Sequence, residues 1–229
     1  MYTMEDLKTN RDAQITVGSI LFFVLAFPIY FGIAAGNADT DFAGAAGDYQ
    51  VSGELTYVML DSGSESIADG DTWSMTYNTD AVNDADELNI VGVRISMTYD
   101  EDETSQNCGG GDGADTITGT ASHLTFNASA DGQNNGGNGA HDVSAIWYNE
   151  SMLGTNVSGL SLNEIKAQLD SMGAGLGDHT VSISVDAETG AQTPPIICQR
   201  SDGGETVDYT VELIVLDYSI EAAQGSSEE

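Results

Sequence analysis

The sequence predicts an all-β protein: an N-terminal transmembrane helix followed by an antiparallel β-sandwich, Ig-like or jelly-roll-like, with one short amphipathic helix. Three observations predict it. Beyond position 48 the apolar residues recur with period two, as on a strand with one buried face. The stretches between those stripes are rich in Gly, Asn, Asp and Ser, the residues of turns. One run, residues 15–36, is apolar and uncharged over 22 positions.

At about 1.5 Å per residue a helix over that run reaches roughly 33 Å, enough to cross a hydrocarbon core of about 30 Å. Pro28 lies inside it, as membrane helices tolerate, and Tyr30 lies toward interfacial depth. Lys8 and Arg11 precede the run, and no Lys or Arg follows until Arg94. The positive-inside rule therefore places residues 1–14 in the cytoplasm and the main domain outside, single-pass in the cell membrane. A cleaved signal peptide is the competing reading, because residues 34–38 are mostly small. The run exceeds the roughly 7–15 residues of a signal core, which favours a retained anchor.

Residues 37–48 are small and polar and read as a stalk; residues 49–220 form the sandwich, and 221–229 an acidic tail. The first stripe is Val51, Gly53, Leu55, Tyr57 and Met59, followed by Trp73, Met75 and Tyr77. Val91, Val93, Ile95, Met97 and Tyr99 form another. Val181, Ile183 and Val185 precede the last, Val207 to Val215 at every second position. Weaker strand candidates lie at 124–127, 143–148 and 195–199, for seven or eight strands in all. Ser161-Leu-Asn-Glu164 is a capping box. It predicts a helix with Leu162, Ile165, Leu169 and Met172 on one face, ended by Gly173. Residues 131–139 read as a surface loop.

The chain carries 37 acidic residues against 5 basic ones, a formal charge of −32. Phosphate backbones repel such a chain, which excludes direct nucleic-acid binding, and no basic patch exists to hold anionic lipid. After residue 36 the acids face only Arg94, Lys166 and Arg200. Such a surface repels itself unless salt screens it, so the composition fits a marine or halophilic exterior. Cys108 and Cys198 are the only cysteines, and in an exported chain two thiols predict one disulfide. Asn127, Asn149 and Asn156 head N-x-S/T sequons and are candidate glycosylation sites.

Residues 110–118, Gly-Gly-Asp-Gly-Ala-Asp-Thr-Ile-Thr, resemble one copy of the nonapeptide of RTX β-roll repeats. The resemblance covers nine residues and no second copy follows, so the two-turn calcium site of that family is not implied. It leaves an irregular Ca²⁺ loop as the candidate metal site, with Asp100, Asp102, Asp112 and Asp115 as oxygen ligands. Apart from Ca²⁺ no cofactor is implied.

His123, His141 and His179 stand singly and read as surface or loop residues. No nucleophile elbow, P-loop or metal-spaced histidine pair occurs, so the chain is read as a non-enzyme. Trp147 and Tyr148 read as core or rim packing, with a sugar-gripping patch as the sharper alternative. The expected function is a membrane-anchored envelope protein with a structural, adhesive or assembly role. Its partners would be the membrane through residues 15–36, a protein or glycan outside the cell, and other copies of itself. The alternatives are a surface-filament or secretion-machine subunit packing through its apolar helix, and a secreted hydrolase.

Overall fold

The computed structural model describes residues 46–100, 104–106, 113–134, 137–190 and 199–223. The expected membrane segment, 15–36, lies outside them, as do both cysteines. Among the described residues no helix is long and apolar enough to cross a membrane.

Among the described residues eleven strands run in the order β1 Gly47–Ala68, β2 Thr72–Asn78, β3 Ile90–Tyr99, β4 Thr104–Gln106, β5 Thr116–His123, β6 Phe126–Gln133, β7 Gly139–Ile146, β8 Asn156–Leu160, β9 Asp178–Asp186, β10 Gln199–Ser201 and β11 Gly204–Ala222. Among the described residues one α-helix, α1 Leu162–Leu169, interrupts them. The strands form a five-stranded sheet, β7-β3-β11-β1-β8, a four-stranded sheet, β2-β9-β5-β6, and a two-stranded ribbon, β10-β4. Every ladder is antiparallel, so the architecture is an all-β sandwich of two sheets.

The ladders nest. First pairs with last (β1 with β11), then β2 with β9, β3 with β7, and β5 with its neighbour β6. The chain behaves as one long hairpin rolled up, joined sideways where β11 meets β3 and β9 meets β5. Gly47 and Ala222 therefore share one end of the sandwich, and the connections after β1, β3, β6 and β9 leave from the other.

The inward stripes are those expected from period two. Val93, Ile95, Met97 and Tyr99 meet Val181, Ile183, Val185, Val207, Tyr209 and Val211 in the main core. Fully burying one such aliphatic side chain contributes about 1.5–3 kcal/mol. The first stripe departs from expectation. The β1–β11 register slips between Met59 and Asp61. This bulge reverses the parity of β1, because side chains alternate faces and one extra residue exchanges them. Val51 and Leu55 thus face away from the main core. They pack in a second cluster with Leu216, Ile214, Met152 and the α1 residues Ile165 and Leu169. A second slip, between Ile214 and Val215, sends Val91 to the same cluster.

The capping box forms: Ser161 Oγ accepts from Glu164 N–H at 3.3 Å, and the Glu164 carboxylate accepts from Ser161 N–H at 2.7 Å. The Ser161 N–H, and the Ser161 hydroxyl donating to the same carboxylate at 2.7 Å, hold the Glu164 carboxyl below its usual range. The helix ends at Leu169 with Asp170 as its cap, earlier than Gly173. Met172 is consequently 85 % exposed and belongs to no helical face. The expected loop 131–139 is also corrected. Asp131 to Gln133 complete β6, Asn134 is buried, and β7 begins at Gly139. Of the weaker strand candidates, 124–127 is a turn running into β6, with Leu124 at φ +52°.

Candidate functional site

Two regions carry organised polar chemistry. The first is the loop end. Asp115 and Glu205 sit at the inward parity of the Ile117 and Val207 stripes, so the alternation that buries the aliphatics also buries two carboxylates. Asn134 bridges them. Its Nδ2 donates to Asp115 Oδ2 at 3.3 Å and to Glu205 Oε1 at 2.7 Å, and its Oδ1 accepts from Asp115 N–H at 2.9 Å. Asp115 Oδ1 accepts from Glu188 N–H at 2.7 Å. A buried carboxylate needs such donors, and here they tie the ends of β5, β6 and β11 to the segment after β9.

The calcium candidates separate on this geometry. Asp115 is fully buried with both carboxylate oxygens accepting hydrogen bonds, whereas Asp100 is exposed at the end of β3. Asp102 and Asp112 lie outside the described residues. Among the described residues no three His, Cys, Asp or Glu side chains converge as metal ligands. The cysteines are likewise outside, but β4 and β10 pair, with Gln106 opposite Gln199. Cys108 follows that ladder by two residues and Cys198 precedes it by one.

The sequons also separate. Asn127 and Asn156 are exposed on β6 and β8. The Asn149 amide nitrogen, the atom a glycan would occupy, donates to Gln168 Oε1 at 2.7 Å and is partly buried.

The second region is the outer face of the four-stranded sheet. Register aligns three rows across its strands: Thr72-Ser184-Thr118-Asp131, Ser74-Ser182-Thr120-Ser129 and Thr76-Thr180-Ser122-Asn127. Ten of these twelve residues carry hydroxyls and one is an acid. Cross-strand bonds hold the array: Thr72 to Ser184 at 2.8 Å, Thr76 to Thr180 at 2.9 Å, Thr120 to Ser129 at 3.2 Å and Thr118 to Asp131 at 2.7 Å. The corresponding face of the five-stranded sheet is different. It presents Asp142, Asp208 and Glu212 beside Arg94, whose guanidinium pairs with Glu212 and lies 3.9 Å from the Tyr57 ring centroid.

The histidine expectation is overturned for two residues. His123 and His179 are 2 % and 0 % exposed. They continue the inward stripes of β5 and β9, and that shared parity was the sequence signal for their burial. The rings stack at 4.2 Å, with Trp147 at 4.9 Å from His123. Trp147 also donates its indole N–H to Ile90 O at 2.8 Å, so it serves packing. His141 is half-buried, its Nδ1 3.2 Å from the Tyr99 hydroxyl, and burial lowers its pKa. That contact needs Gly132, where a Cβ would collide with both partners.

No family model matches the chain, and no curated protein matches it. Among solved structures it is similar to a chain of Cocksfoot mottle virus, at 7 % identity over 75 % of this chain and 95 % of that one, with a TM-score of 0.21. A superposition that loose leaves the strand order of the chain itself to define the architecture.

Proposed function

We propose that this chain is a membrane-anchored, extracytoplasmic jelly-roll module with a structural or assembly role, and that copies meet through the hydroxyl face of the β2-β9-β5-β6 sheet. The nested ladders support the jelly roll over the Ig-like alternative, since two four-stranded sheets built from a rolled hairpin define it. That fold hosts shells and lectins alike, so the role rests on the surface and not on the fold.

The observation that carries the reading is the hydroxyl face. In a chain of charge −32, two copies approaching through most surfaces bring acid against acid. Three rows of hydroxyls offer a contact without that cost. Four strands about 4.8 Å apart and three rows about 6.7 Å apart give about 400 Å² per copy, or about 800 Å² for a pair, the range of weak, transient contacts. A twofold axis would set the face against itself. Salt shortens the Debye length from about 8 Å at 0.15 M to about 3 Å at 1 M, so association strengthens in brine. The proposal includes a Cys108–Cys198 disulfide, as an oxidising exterior would allow, the two residues flanking the paired strands β4 and β10 in sequence.

Light scattering on the full chain in detergent micelles tests the contact. A dimer in 2 M NaCl that dissociates in 0.1 M NaCl, and that Thr120→Glu or Ser182→Glu abolishes, supports it. A monomer at 2 M, or a variant that dimerises like the parent, overturns it. Protease added to intact cells tests the location: digestion of the sandwich places it outside, and protection until lysis rejects the export reading.

A further inference from the structure

The buried histidine pair has a proton count that its surroundings fix. His123 Nδ1 lies 2.9 Å from Asp178 O, and His123 Nε2 lies 2.6 Å from Ala174 O. His179 Nε2 lies 3.0 Å from Gly175 O. All three partners are carbonyl oxygens, which only accept, so each of the three ring nitrogens must carry hydrogen. Two neutral imidazoles carry two N–H groups between them. The fourth nitrogen, His179 Nδ1, is buried without a hydrogen-bond partner, so a bare lone pair faces no donor there.

We propose that His123 and His179 together hold three N–H hydrogens at neutral pH, forming a buried monocation that latches residues 174–178 onto the sheet, and that loss of the third hydrogen releases this turn. The latched turn is the chain's return from α1 to β9. It contains Gly175, whose Cα approaches Ile90 so closely that a Cβ would collide with the Ile90 carbonyl oxygen. Its other anchors join Gly177 to Thr79: Gly177 N–H donates to Thr79 Oγ1 at 2.8 Å, and Gly177 O accepts from Thr79 N–H at 3.1 Å. The histidines thus supply three of the bonds that hold an otherwise irregular segment.

The surroundings suit one positive charge and not two. From β9 comes the Asp178 carboxylate, which accepts from Asn78 Nδ2 at 2.6 Å. From β2, Tyr77 lies opposite His179 in register, and its hydroxyl donates to Asp61 of β1 at 2.8 Å. From β6 and the end of β7 come Phe126 and Trp147, 5.7 Å apart. The indole ring lies tilted against the His123 ring, centroids 4.9 Å apart, within the distance at which an aromatic ring attracts a cation. A second proton on His179 would put two cations 4.2 Å apart, and burial with the His123 charge holds the His179 pKa down to about 4.

Long-range ¹H–¹⁵N NMR of the ¹⁵N-histidine-labelled full chain in micelles reads the count without a variant. At pH 7 the expected spectrum shows both His123 nitrogens protonated and His179 with hydrogen on Nε2 alone. As pH rises, hydrogen-exchange protection of residues 174–178, corrected for intrinsic exchange, should fall in the same interval in which His123 loses its hydrogen. A bare nitrogen on His123 at pH 7 overturns the proposal, as does loss of that hydrogen with protection unchanged.

Discussion

Asn134 is expected to be worth more to this fold than any surface amide, because both of its amide hydrogens end on buried carboxylates. In Asn134→Ala the Glu205 contact at 2.7 Å is lost, the weaker Asp115 contact at 3.3 Å is lost, and Asp115 N–H loses its acceptor. Bonds to charged groups contribute about 1.5–3 kcal/mol, and a buried group left unpaired adds its desolvation cost, so the sum is about 4 kcal/mol. For a domain of this size each kcal/mol moves Tm by about 2–4 °C, which gives a drop of roughly 8–16 °C. Asn134→Asp keeps the shape and the acceptor for Asp115 N–H but replaces the two donated hydrogens with a third carboxylate. It should melt no higher than Asn134→Ala at pH 7. Gln133→Ala, which loses one exposed contact to Thr116 at 3.3 Å, is the control and should stay within about 0.5 kcal/mol. Thermal unfolding by circular dichroism reads all three. If Asn134→Ala melted within 2 °C of the parent, or Asn134→Asp melted above Asn134→Ala, the bridge between the carboxylates would not be what holds the loop end.

Other consequences are equally direct. His179 is held down at about 4 by burial and by His123, so the unfolded chain binds its proton first as pH falls. The His179 contribution is therefore complete above about pH 6.5 and is lost toward pH 4, about 3 kcal/mol in all. The unfolding free energies of the parent and His179→Gln, from urea titrations at each pH, should converge by that amount on acidification, and parallel curves would contradict it. Leu124 is 76 % exposed with a positive φ, so Leu124→Gly should stabilise the β5–β6 turn by about 0.5–1 kcal/mol, with a lower Tm counting against the strain. If Cys108 and Cys198 are bridged as proposed, the bond closes a loop of about 90 residues and should contribute on the order of 4–5 kcal/mol. Reduction should lower Tm by roughly 10 °C or more, and two free thiols in non-reducing mass spectrometry would remove the bond from the account. Raising NaCl from 10 mM to 1 M should raise Tm, because three basic residues after position 36 cannot neutralise the acids there; an unchanged Tm would refute the screening argument.

Period two, a local property of the chain, determined the strands at 91–99, 181–185 and 207–215, and a capping box determined where α1 starts. The same parity already marked Asp115, His123, His179 and Glu205 as inward positions, although their chemistry argued for the surface. Which face a stripe turns to was not local. A bulge at residue 60 sends Val51 and Leu55 to a different core from Val207 and Val211, and only the partner strand reveals that slip. The hydroxyl rows are likewise a product of register: Thr76, Thr180, Ser122 and Asn127 are scattered along the chain and become one row only when three ladders align them. Charge and composition are sums over residues, so the sequence determined them alone. Bridges such as Asn134 between two carboxylates depend on which strand ends meet, and only the tertiary fold decided that.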